Sequence, residues 1–155
     1  MTAAAPPPLS DFDWTLRFEV YDHFARLAEA PTAEALSVRL QVEGEAVVAS
    51  LRRLQENHHI GLFPDRDEVW IVNPFSAVPT DYPVVTERGR YWAACAWDAV
   101  GVPAILGIDA WIETRCAGSG QPLSFGVRGG ELSGDDGVIH LVVPIRDAWD
   151  DIGFT

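Results

Sequence analysis

Residues 86–100, TERGRYWAACAWDAV, decide how the second half of the chain folds. Thr86 suits a helix N-cap, Glu87 suits the positive end of a helix dipole, and Gly101 followed by Pro103 supplies a stop. The stretch reads as one helix over residues 86–100. Downstream, residues 108–114, 123–127 and 138–143 read as strands, separated by the turn-rich AGSGQP and RGGELSGDDG. The second half is therefore expected to be a helix packed on a small, mostly antiparallel sheet.

Upstream, Leu16, Val20, Phe24 and Leu27 recur at helical spacing until Pro31. Thr32 caps a short second helix carrying Ala35, Leu36 and Leu40. After Gly44 a third helix carries Val47, Val48, Leu51 and Leu54. Residues 60–63 and 69–72 then read as a hairpin around a turn at 64–67. This order predicts an N-terminal three-helix winged-helix-like module, and the chain as a whole is expected to be α+β. The expected boundaries are a disordered Pro/Ala tail over 1–12, the winged-helix-like domain over 13–73, a Pro-rich linker over 74–85 and a second domain over 86–155.

A winged-helix-like module raises the question of DNA. The N-terminal half of the third helix, EAVVAS, offers base edges only Glu45, while Arg52 and Arg53 come late. The 155 residues carry a net charge of -12, which repels polyanions, so nucleic acid is not an expected partner. All 11 basic residues are Arg, and 48% of residues are hydrophobic, including six Trp, enough for a packed core. No run approaches the roughly 18 apolar residues of a membrane span, and the start MTAAAPPPLSDFD lacks a basic n-region and a continuous apolar core. The expected address is the cytosol, where the two Cys are reduced thiols.

If residues 86–100 are helical, Tyr91, Cys95 and Asp98 fall at i, i+4 and i+7 on one face, with Arg88 a turn before them. A carboxylate beside a thiol disfavours the thiolate, and partial burial enlarges the effect, so one proton is held between the two groups. Such a pair is a stored proton next to a soft metal ligand. The spacing also fits an inert core cysteine and a solvated carboxylate, and it leaves that alternative open. Cys116 has no CxxC partner. His140, in the alternating VIHLVV, reads as an interior strand residue, and His58 and His59 read as a helix terminus.

The sequence resembles the organomercurial (alkylmercury) lyases. The resemblance runs through the N-terminal module, the linker NPFSAVPT, YWAACAWDAVG with the following PAILG, DAWIETRC with its turn, and GVIHLVVP leading to AWDDIGFT. It implies a lyase-like detoxification enzyme that protonates a carbon–mercury bond, releasing a hydrocarbon and a mercuric ion. Cys95 would capture mercury, and Asp98 would take the thiol proton, deliver it to the departing carbon and, with Cys95, contact the metal. The resemblance implies no organic cofactor, a small-molecule substrate and an external thiol that removes the product. It also places the family's second mercury-binding Cys just beyond DDIGFT, past the last of these 155 residues, and the Cys near position 116 is structural in the family pattern. Two other readings are a relative using the Cys95/Asp98 pair on a different small electrophile, and a non-enzymatic metal-binding or regulatory protein.

Overall fold

Ser10 starts the first helix, earlier than the expected end of the tail. Its side chain accepts the Asp13 N–H at 3.3 Å and its own N–H donates to the Asp13 carboxylate at 2.8 Å, a capping box that opens α1 (Asp11–Leu27). Residues 10–12 therefore belong to the fold rather than to a tail over 1–12. The computed structural model describes residues 5–141 and 143–153, so residues 1–4 of that expected tail lie outside it. The chain divides into two units, residues 1–72 and 73–155.

In the first unit, α1 is followed by α2 (Ala33–Leu40), which Thr32 caps as expected, and by α3 (Gly44–Glu56). Leu16, Val20 and Phe24 of α1 meet Leu36 of α2 and Val47, Leu51 and Leu54 of α3 in a core from which water is excluded. Burying each such side chain contributes roughly 1.5–3 kcal/mol. Asp13 is fully buried in the same core. It accepts from Ser50 Oγ at 2.5 Å and Arg53 Nη2 at 2.7 Å, so its charge is paired and hydrogen-bonded. β1 (Gly61–Leu62) and β2 (Val69–Val72) then pair antiparallel, with Phe63 stacked on Trp70 at 5.5 Å. His58 and His59 lie just past the end of α3.

The second unit contains the main correction to the sequence reading. Residues 86–100 are not one helix. β4 (Pro83–Thr86) and β5 (Gly89–Trp92) form an antiparallel hairpin, paired from Pro83↔Trp92 to Thr86↔Gly89. Thr86 acts as a turn residue, not an N-cap: its hydroxyl accepts the Arg88 N–H at 3.1 Å and donates to Gly89 O at 3.0 Å. Gly89 sits at φ +137°, a conformation that suits only glycine. The helix begins later, as α4 (Ala96–Leu106), and runs through Pro103 to Gly107, whose left-handed φ of +64° ends it.

β6 (Ala110–Arg115), β7 (Pro122–Arg128) and β8 (Glu131–Gly134) extend the hairpin into an antiparallel sheet of order β5-β4-β6-β7-β8. α4 packs on it against β4 and β7, and Ala99 and Val102 of the helix and Val84 and Ile112 of the sheet have no exposed surface. The expected architecture, a helix on a small antiparallel sheet, is therefore present with different strands. β8 falls in the stretch expected to be a turn. The strand expected over 138–143 is not formed by its described residues, and Val142 lies outside them. Val138 is 94% exposed, and His140 is exposed rather than interior.

The stretch 74–85, expected as a linker, contributes β3 (Phe75–Ser76) and most of β4. Phe75 is buried, bridges to Ala93 and lies 5.8 Å from the Tyr91 ring. It is core, not connection. Among the described residues no helix is long and apolar enough to cross a membrane.

Candidate active site

Cys95 and Asp98 meet at the N-terminus of α4. The hairpin delivers the chain to Ala94, whose N–H donates to Pro74 O at 3.2 Å, and Cys95 then takes the extended N-cap conformation at φ −150°. Asp98 is the third helical residue, where an acidic side chain folds back over the cap. Its carboxylate accepts the Cys95 thiol at 3.3 Å and is stabilised by the Cys95 backbone N–H as well. The two functional groups are thus joined across the first turn of a helix. Tyr91 and Arg88, expected on the same helical face, lie instead on β5 and in the turn before it.

Asp98 is 5% exposed and Cys95 is half-buried. Burial raises the Asp98 carboxyl, against the hydrogen bonds from Cys95 that lower it. Burial also pushes the thiol up, the Asp98 charge adds to this, and together they carry it to about 11. A helix N-terminus ordinarily favours a thiolate. Here burial and the adjacent carboxylate win. Over the interval between the two titrations the proton resides on sulfur and points at a carboxylate oxygen, so the pair is a thiol donor with its base already in place. A soft electrophile that binds sulfur would displace that proton directly onto Asp98.

Cys116 does not join the pair. It follows β6 and lines an open groove of about 460 Å³ with Asp81, Tyr82, Thr114 and Leu123, a groove that includes neither Cys95 nor Asp98. Its sulfur accepts the Ser119 N–H at 3.4 Å, and hydrogen bonding to Ser119 lowers its pKa, so this thiol is the more easily ionised of the two. Among the described residues no three His, Cys, Asp or Glu side chains converge as a metal site. Two residues near the pair escaped the sequence reading. Asn73 Nδ2 lies 3.4 Å from Asp98 Oδ2, and Tyr82 has its phenol raised by burial and then by negative charge at Cys95, Asp81 and Cys116. Asn73 carried a turn signal as an Asn-Pro dipeptide, but no spacing rule links position 73 to position 98.

Comparison with known proteins adds three findings. The model of the alkylmercury lyase (MerB) family matches residues 75–155, just over half of the chain. Among solved structures the chain is similar in fold to the mercury-bound form of MerB2, with a TM-score of 0.67 and 22% identity, over 81% of this chain and 60% of that one. The chain thus spans about three-fifths of the length of that solved relative. No curated protein matches it.

Proposed function

The chain belongs to the alkylmercury lyase family, and we propose that its Cys95/Asp98 pair cleaves the carbon–mercury bond of an organomercurial by protonation. The observation that carries this reading is the 3.3 Å hydrogen bond from the Cys95 thiol to the buried Asp98 carboxylate. Family membership supports chemistry that needs no cofactor, with mercury entering as substrate.

In the first step the Cys95 sulfur bonds to mercury of R–Hg–X, X leaves as an anion, and the thiol proton passes to Asp98. The thiol's resistance to ionisation then matters less, because the metal replaces the proton. In the second step the Asp98 carboxylic acid gives that proton to the carbon: the C–H bond forms, the C–Hg bond breaks, and R–H departs. The mercuric ion remains between the Cys95 sulfur and the Asp98 carboxylate, a neutral ensemble. Two external thiols remove it as the dithiolate; one of their protons returns to the Cys95 sulfur and the other leaves to solvent, which restores the thiol beside an ionised carboxylate. Burial serves the second step, since a carboxyl with a raised pKa keeps its proton until carbon takes it.

The test is release of benzene from phenylmercury in the presence of excess thiol. Wild type should turn over, and Cys95→Ser with an unchanged circular dichroism spectrum should release none. Tight mercury binding without any benzene would sink the lyase reading and leave a metal-binding protein. A second reading has its own support: the buried pair contains a single thiol, which suffices for attack on a small carbon electrophile. Covalent, proton-consuming capture of such an electrophile at Cys95, with phenylmercury untouched, would favour it.

A regulatory role through DNA finds no support in the first unit. Both arginines late in α3 are committed to carboxylates, Arg52 to Asp67 at 2.5 Å and Arg53 to Asp13 at 2.7 Å.

A further inference from the structure

The start of the second unit runs directly past the Cys95/Asp98 pair. Asn73 Nδ2 donates to Asp98 Oδ2 at 3.4 Å, and that same oxygen accepts the Cys95 thiol at 3.3 Å. Three contacts fix where Asn73 can be. Pro74 O accepts the N–H of Ala94, the residue before Cys95. The Pro74 ring lies on α4 at Gly101, one turn beyond Asp98, where a Cβ would come within 3.2 Å of Pro74 Cβ. Phe75 is sunk in the core against Tyr91. The backbone on the far side of Asn73 is thereby clamped to the helix that carries Asp98 and to the strand end that leads to Cys95.

We infer that Asn73 is the positioning residue of Asp98: its side-chain amide orients the carboxylate so that Oδ2 faces the thiol. Its chemistry suits that task. The carboxyl must hold a proton after taking it and then surrender it. A guanidinium or ammonium at this position would hold the carboxylate so strongly that it accepts no proton from the thiol. Without the amide only the Cys95 thiol and backbone N–H are left to oppose burial, which weighs against the ionised base. A long, neutral amide hydrogen bond lies between these limits. The role of the carboxylate in carbon–mercury cleavage rests on the function proposed above; the contact and its effect on Asp98 do not.

The experiment is a carboxyl-carbon NMR titration of aspartate-labelled full-length protein, with the Asp98 signal assigned by its loss in Asp98→Asn, alongside benzene release from phenylmercury. In Asn73→Ala the Asp98 midpoint should rise by about half to one pH unit, since one charge-assisted hydrogen bond of marginal length is removed. The acidic limb of the kcat/KM profile, which reports the free enzyme, should move up with it, and at neutral pH kcat should fall about tenfold while KM changes little. In the nearly isosteric Asn73→Asp a like charge replaces the donor, and the midpoint should rise by more than about one unit. An unmoved Asp98 midpoint in either folded variant overturns the inference. If wild type releases no benzene while both midpoints move as stated, the positioning role stands and the lyase reading falls.

Discussion

At the scale of the residue, a buried carboxylate beside a thiol comes at a cost in stability. Asp98 has a folded pKa above its unfolded value, so the folded chain binds that proton more tightly. Its contribution is favourable below the unfolded carboxyl pKa and is lost as pH rises through the folded one. Near neutral pH the ionised, buried carboxylate therefore weakens the fold. Asp98→Asn should raise the unfolding free energy at pH 7 by on the order of 1 kcal/mol while abolishing benzene release, a trade common at active sites. Burial first, and the Asp98 charge after it, hold the Cys95 thiol up near 11, and the same substitution removes that charge. In a Cys116→Ser background, which removes the more easily ionised thiol, iodoacetamide should modify Cys95 at pH 9 about tenfold faster in Asp98→Asn, corresponding to a fall of about one pH unit. An unchanged alkylation rate would mean that burial alone sets this thiol.

At the scale of the element, the hairpin of β4 and β5 is what brings Cys95 to a helix terminus. Its turn depends on Gly89 at φ +137°, where the space around a Cβ is empty, so a side chain there meets no clash and costs only backbone strain. Gly89→Ala should destabilise the protein by about 1–3 kcal/mol, read as a lower urea midpoint with an unchanged slope. This turn is also where the sequence misled. The residues TERG satisfy an N-cap and a tight turn equally, and YWAACAW contains alanines and apolar residues that fit a helix by local pattern. Pairing of Val84 with both Tyr91 and Ile112 decides for strand, and that is a long-range fact invisible to local spacing. The helices α1, α2 and α3 were legible because their apolar periodicity and caps agree with one another. The Cys95/Asp98 pair was legible by residue type, though its geometry is a cap with its third helical residue and not a helical face. Asn73 was invisible, since it reaches the site through the packing of Pro74 on Gly101.

At the scale of the whole molecule, the charge of -12 acts on whatever approaches Cys95. A bare arylmercury cation is attracted by that field, whereas its complex with a neutral thiol carries no charge and is indifferent to it. The two forms of one substrate therefore separate steering from chemistry. In the Cys116→Ser background, capture can be followed by stopped-flow tryptophan fluorescence, since Trp92 and Trp97 flank Cys95 in the chain. With phenylmercuric nitrate and no added thiol, the bimolecular rate should fall about threefold or more as sodium nitrate rises from about 10 to 200 mM, because the Debye length shrinks from roughly 30 Å to under 10 Å. Nitrate is used because chloride would bind the metal and change its charge. With the substrate held as its complex with mercaptoethanol, the rate should vary little over the same range. Equal salt dependence in the two cases would mean that the acidic surface plays no part in delivering mercury to Cys95, and that the excess of carboxylates serves the fold's solubility alone.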